Sequence, residues 1–131
     1  MKILIAEDDF TSRMLLQEML KYYGTSHVAV NGKEAVEAVR ISLEAGEPYD
    51  LICLDIMMPE MDGQETLSII RQMESSAGAT RTNRSKIIMT TALADKETII
   101  NAAQRQCDCF LAKPIQRAKL LEELHKMKLV I

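Results

Sequence analysis

The 131-residue chain contains no tryptophan, only 4% aromatic residues, two histidines and three cysteines. The cysteines, Cys53, Cys107 and Cys109, form an odd set, with two of them in a C-x-C inside an apolar stretch. That is no disulfide framework and fits a reducing, cytoplasmic setting. Two histidines, with no C-x-x-C and no H-x-x-x-H, exclude the usual zinc sites. Long apolar runs are missing too: the longest reach about four to five residues, against the roughly 20 that span a bilayer. The opening Met1-Lys2-Ile3-Leu4-Ile5-Ala6-Glu7 turns acidic too early for a secretory signal. Positive charge is in no excess, 16 Lys and Arg against 19 Asp and Glu for a net −3. Neither nucleic acid nor a membrane is therefore expected as a direct ligand. What is present is 47% apolar and 27% charged residues, which suffices for a hydrophobic core in a single domain over residues 1–131.

Five short apolar runs stand out: Ile3–Ala6, His27–Val30, Leu51–Leu54, Ile87–Met89 and Cys109–Ala112. Most lack polar alternation, as parallel strands covered on both faces do. His27–Val30 is the least apolar and is expected at a sheet edge. Helical stripes lie between the runs. Met14, Leu15, Met19 and Leu20 share a face, as do Ala35, Val36, Val39 and Leu43, and Leu67, Ile70 and Met73. Ile99, Ile100 and Ala103 mark a fourth helix, and Leu120, Leu121, Leu124 and Met127 a fifth. Asn31 with Glu34 and Asp62 with Glu65 form capping boxes. Asp9 suits the N-terminus of the first helix, Gly24 its end, and Asp95 the start of the fourth. The run starts lie 24, 24, 36 and 22 residues apart, room for a crossover helix each time. The longest gap holds the polar stretch Glu74–Ser85, expected as a solvated surface loop in which Arg81 and Arg84 could serve a partner. The pattern predicts an α/β fold: a doubly wound five-stranded parallel sheet with five flanking helices.

Such sheets bind ligands beyond the carboxyl ends of their strands. The first run ends on Glu7, Asp8 and Asp9, the third on Asp55, the fourth on Thr90 and Thr91, and the fifth on Lys113 and Pro114. Glu7, Asp8 and Asp55 converge if the first and third strands are neighbours. Two carboxylates about 4 Å apart repel by roughly 4 kcal/mol at an effective dielectric near 20. A divalent cation relieves that repulsion, and Mg²⁺ takes one or two carboxylates with waters and phosphate oxygens. One carboxylate could then act as a nucleophile toward phosphorus, with Lys113 as a second cation and the Thr91 hydroxyl as a donor. A metal-dependent phosphatase with an aspartate nucleophile would need a second aspartate two residues on, where Met57 stands. A flavodoxin would need a phosphate cradle where Glu7-Asp8-Asp9 stands, and carboxylates have the wrong sign.

These motifs resemble the receiver domain of bacterial response regulators, the CheY-like family. The most specific stretch is Asp55-Ile56-Met57-Met58-Pro59-Glu60-Met61-Asp62-Gly63, which is similar to the family's D-x-x-M-P-x-M-D-G. Ile3-Leu4-Ile5-Ala6-Glu7-Asp8-Asp9, Thr91-Ala92, Phe110 and Lys113-Pro114 fall at compatible spacing. The resemblance implies strand order 2-1-3-4-5, the flavodoxin-like arrangement. It implies that Asp55 accepts a phosphoryl group from a sensor histidine kinase or phosphotransfer protein. Asp8 would bind Mg²⁺ (or Mn²⁺) directly, Glu7 through water, and the Met57 backbone carbonyl would complete the protein ligands. Thr91 and Lys113 would hold phosphoryl oxygens, Phe110 would act as an aromatic switch with Thr91, and Pro114 would follow a cis bond. The fourth helix, fifth strand and fifth helix would present the altered surface to a downstream protein. The protein would be a switch rather than an enzyme, a monomer or a phosphorylation-dependent dimer. It would stand alone, or form the receiver portion of a larger regulator or hybrid kinase. Met57 and Leu93, both apolar at positions that face the phosphoryl group in the family, imply slow self-dephosphorylation. Other residues read as structural. Cys53 is a packing residue. Cys107 and Cys109 would project to one side if their segment is extended and read as packing residues, and His27 and His125 have no partners visible in the sequence.

Overall fold

The computed structural model describes residues 1–80, 83–92, 97, 101, 104 and 107–130. Its strands are β1 (Lys2–Ala6), β2 (Thr25–Ala29), β3 (Leu51–Asp55), β4 (Lys86–Thr91) and β5 (Cys109–Ala112). The helices with defined bounds are α1 (Phe10–Leu20), α2 (Gly32–Glu44), α3 (Gly63–Ser76) and the C-terminal α4 (Arg117–Lys126). The strands are parallel throughout and lie in the order β2-β1-β3-β4-β5, as expected. The helix with Asp95 at its start and the Ile99, Ile100, Ala103 stripe lies outside the described residues, so four bounded helices stand where five were expected.

The sheet separates two apolar layers, which is why the central strands read as continuous apolar runs. Leu4 and Ala6 of β1 join Ala35 and Val39 of α2 and Leu67 and Ile70 of α3. Ile3 and Ile5, on the other face, join Leu16 and Leu20 of α1 and Leu120 and Leu124 of α4. Every residue of β3 is buried. The edge strand β2 buries only Ala29 fully, in keeping with its weak apolar content. Asn31 and Asp62 cap as their sequence signals predict, accepting from the Glu34 amide at 2.8 Å and the Glu65 amide at 2.9 Å.

Several expectations need correction. The buried stripe of α1 is Leu16 and Leu20, while Met14 and Leu15 are exposed. Gly24 does not end α1, whose cap is Lys21. A Cβ at Gly24 would sit 1.9 Å from the Met1 carbonyl oxygen, so glycine is required there for close approach of the N-terminal strand. Glu74–Ser85 is not a solvated loop throughout. Glu74 belongs to α3 and is buried, as is Ser85. The Glu74 carboxylate accepts from Arg71 Nη1 at 2.7 Å and the Ser85 amide at 2.9 Å. Arg71 also binds Asp108 at 2.9 Å, which in turn accepts from the Ile87 amide at 2.8 Å. Arg81 lies outside the described residues. Cys107 and Cys109 do not share a side: Cys107 packs on the layer of α2 and α3, Cys109 on that of α1 and α4. The turn before β5 accounts for this, because only Cys109 lies in the strand. His27 does have a partner, the Tyr49 hydroxyl at 2.8 Å.

Candidate functional site at the carboxyl edge of the sheet

Strand register assembles the site. Ala6 is opposite Leu54, which brings Glu7 beside Asp55. Asp55 is opposite Thr90, and Thr91 is opposite Ala112, one residue before Lys113. Carboxylate oxygens of Glu7, Asp8 and Asp55 all lie within 4.8 Å of one another. Glu7 and Asp55 are buried, and Asp8 is exposed at the mouth. The Lys113 ammonium pairs with Glu7 Oε1 and lies 3.3 Å from Asp55 Oδ2.

Each group is held by its neighbours. The Glu7 amide donates to the Ala29 carbonyl at 3.0 Å, and Glu7 Oε2 accepts from the Asp9 amide at 3.1 Å. Asp55 Oδ1 accepts from the Met57 amide at 3.3 Å. Asp9 caps α1, accepting from the Ser12 amide at 2.9 Å, and this bond lowers its pKa. The Lys113 amide donates to the Thr91 carbonyl at 2.7 Å, and the Lys113–Pro114 bond is cis. Thr91 is fully buried. Phe110 is half-buried, faces Met89 across the β4–β5 register, and lines with Lys113 and Pro114 a cavity of about 340 Å³. Gly63 opens α3 directly against the site. A Cβ there would fall 2.2 Å from the Asp55 carbonyl oxygen, so no side chain fits.

Burial, then the hydrogen bond and charge of Glu7, push the Asp55 carboxyl up to about 7, against the pull of Lys113. Burial alone would lower the Lys113 ammonium, but its hydrogen bond to Glu7 and the charge of Asp55 hold it above the ordinary lysine value. The buried Glu7 Oε1 is engaged by the Lys113 ammonium. Converging hard oxygen donors from Glu7, Asp8 and Asp55, all within 4.8 Å of one another, fit a small divalent cation of the Mg²⁺ type. The thiols do not add a soft site: burial pushes Cys53 and Cys109 up to about 12, far from the thiolate form.

The structure thus brings together Glu7, Asp8, Asp55 and Lys113, with Thr91 on the adjoining strand, and packs Phe110 on the apolar layer of α2 and α3. Leu93 lies outside the described residues. One contributor escaped the sequence reading, and one was marked only as part of a motif. Gly63 closes the D-x-x-M-P-x-M-D-G stretch, but its approach to the Asp55 carbonyl is tertiary. Arg13, whose Nη1 donates to the Glu7 carbonyl at 3.1 Å, reads in sequence as an ordinary helix-surface residue.

A parallel α/β sheet carrying an acid cluster and a lysine at its switch-point edge has a charged site where doubly wound domains bind their ligands. Comparison narrows this. The response regulator receiver domain family matches residues 3–125, and the chain belongs to that family. It is 34% identical over 127 residues to the chemotaxis protein CheY of Bacillus subtilis, covering 95% of each chain. It is 34% identical over 124 residues to the sensory/regulatory protein RpfC of Xanthomonas campestris, spanning 95% of this chain but 16% of RpfC. Against the osmosensing histidine kinase SLN1 of Saccharomyces cerevisiae it spans 9% of the relative's length, at 34% identity over 121 residues. Among solved structures, the receiver domain of the histidine kinase CKI1 from Arabidopsis thaliana, complexed with Mg²⁺ and BeF3⁻, superposes with TM-score 0.82. That match is 28% identical and covers 97% of this chain and 89% of the other. A receiver domain of a Pseudomonas aeruginosa sensor kinase, with magnesium coordinated in its active-site cleft, gives TM-score 0.79 at 28% identity, covering 96% and 95%. The chain is a receiver domain of two-component signalling, a module found both in CheY and in hybrid kinases. No described helix is long and apolar enough to cross a membrane.

Proposed function

We propose that this receiver is a phosphoacceptor switch in which Asp55 captures a phosphoryl group from a phosphohistidine of a sensor kinase or phosphotransfer protein. The observation that carries the reading is the gathering of Glu7, Asp8 and Asp55 within 4.8 Å beneath the Lys113 ammonium. An Asp55 carboxylate oxygen attacks phosphorus, the P–N bond to the donor breaks, and the leaving imidazole keeps the electron pair and takes up a proton. The product is an acyl phosphate on Asp55. Mg²⁺ or Mn²⁺, held by Glu7, Asp8, Asp55 and the Met57 carbonyl, would supply charge neutralisation for the phosphoryl oxygens. Lys113 is already seated to take one of those oxygens, releasing its pair with Asp55. The Thr91 hydroxyl takes another, and Phe110 turns toward the space that Thr91 leaves. The covalent charge change biases a two-state surface on the β5 side of the domain, read by a downstream protein.

The mouth is suited to a protein donor. Phe10, Met14 and Leu15 of α1 and Met57 beside Asp55 are 64%, 51%, 50% and 58% exposed. Leu15 shares a small cavity with Glu7, Lys113 and Pro114, so this apolar rim adjoins the site. Incubation with a small phosphodonor and Mg²⁺, read by intact mass, tests the proposal. One phosphoryl adduct is expected on the wild-type chain and none on Asp55→Asn; equal labelling of both would refute it.

A further inference from the structure

Asp8 is the exposed member of the acid cluster, and no hydrogen bond among the described residues holds its carboxylate. Its position must be set through the backbone. The peptide unit that delivers it is Glu7–Asp8, which is planar, so fixing its carbonyl fixes the Asp8 amide and the start of the Asp8 residue. That carbonyl accepts from Arg13 Nη1 at 3.1 Å. Arg13 is half-buried one turn into α1, and its guanidinium lies 5.5 Å from the centre of the Phe10 ring, a cation–π contact that steadies it. On the other side of Asp8, Asp9 is tied by its amide to Glu7 Oε2 at 3.1 Å and by its carboxylate to the Ser12 amide at 2.9 Å. Asp8 is therefore clamped from both flanks, by Arg13 upstream and by the helix cap downstream.

We infer that Arg13 is a positioning residue for the divalent-cation site: it sets the Glu7–Asp8 peptide so that the Asp8 carboxylate faces Glu7 and Asp55. This rests on the metal-assisted reading of the site. Two physical roles for Arg13 have opposite signs. A guanidinium acting through its charge would repel a cation, and its removal would tighten Mg²⁺ binding. A guanidinium acting through its hydrogen bond orients a ligand, and its removal weakens binding, by roughly tenfold for a group that supports a metal ligand from behind.

Calorimetric titration of Mg²⁺ into wild type, Arg13→Ala, Arg13→Lys and Arg13→Gln separates them. The expected order of affinity is wild type, then Lys and Gln, which both keep an N–H donor, then Ala. In metal-free protein, amide hydrogen exchange at Asp9, whose amide bonds Glu7 Oε2 across Asp8, should quicken in Arg13→Ala, while β3 amides stay protected as a check on folding. Should Arg13→Ala fold poorly, Arg13→Gln carries the same comparison. Unchanged or tighter Mg²⁺ binding in both the Ala and Gln variants, with wild type binding normally, overturns the role of Arg13 alone. A wild-type chain indifferent to Mg²⁺ overturns the reading of the site, and this inference with it.

Discussion

At the scale of single residues, the site runs on an acid held out of water. Asp55 in the metal-free fold has its pKa pushed up to about 7 by burial and by Glu7, above the roughly 3.9 of an unfolded chain. The folded state therefore binds the Asp55 proton more tightly than the unfolded state. The stability this contributes is fully present below the unfolded value and is lost as pH rises through the folded one. Metal-free Asp55→Asn should accordingly be more stable than wild type near about pH 8, by about 1–3 kcal/mol, with the gap closing toward about pH 4. Urea unfolding at several pH values reads this out, and a gap that widens on acidification would contradict it. Met57, exposed beside the acceptor, carries no group that can orient water. Under the proposed chemistry, Met57→Asn should shorten the acyl-phosphate lifetime by about tenfold, ~1.4 kcal/mol of barrier. A lifetime unmoved by that change, and by a polar graft at Leu93 as well, would remove the apolar pair as the cause of slow decay.

At the scale of elements, the sequence was readable wherever one segment carries its own signal. The capping aspartate and asparagine of α2 and α3 were legible, because a cap and its amides lie within three residues. The buried face of α1 was legible only toward its end. Met19 and Leu20 pack in the core as expected, but Leu16 is buried in place of Met14 and Leu15, which are just as apolar, and only the sheet decides between them. The polar run after α3 misled for a related reason. Glu74 looks solvated beside Ser75 and Ser76, yet its partner Arg71 reaches Asp108, 37 residues away. A buried charge is expensive without such partners. Glu74→Ala should leave the buried Ser85 amide without its acceptor while Arg71 keeps Asp108, and cost about 2 kcal/mol of folding stability. Chemical denaturation measures it; a loss under about 0.5 kcal/mol, the range of an ordinary surface change, would return Glu74 to the solvated class.

At the scale of the molecule, fold and site were legible together because a parallel sheet puts every strand's carboxyl end on one rim. Glu7, Asp8, Asp55, Thr91 and Lys113 each fall within two residues of the end of an apolar run, so finding the strands located the rim. Arg13 acts only after folding brings α1 against that rim, and nothing local marks it. Gly63 ends the motif that begins at Asp55, yet the need for a glycine there comes from the tertiary approach of α3. The apolar rim of Phe10, Leu15 and Met57 belongs to this scale as well. Met14→Ser with Leu15→Ser, on the same exposed rim, should slow phosphoryl transfer from a histidine-phosphorylated protein by about tenfold or more, while labelling by a small phosphodonor holds within about twofold. Equal losses with both donors would point to a damaged site rather than to lost docking. The central claim, that clustered carboxylates let Asp55 capture phosphorus with a hard divalent ion, meets its most direct test in borohydride trapping. Reduction of the acyl phosphate and peptide mapping should find homoserine at position 55 when Mg²⁺ is present and none when it is chelated. Trapping at another residue, or equal trapping at position 55 without the ion, would contradict the account.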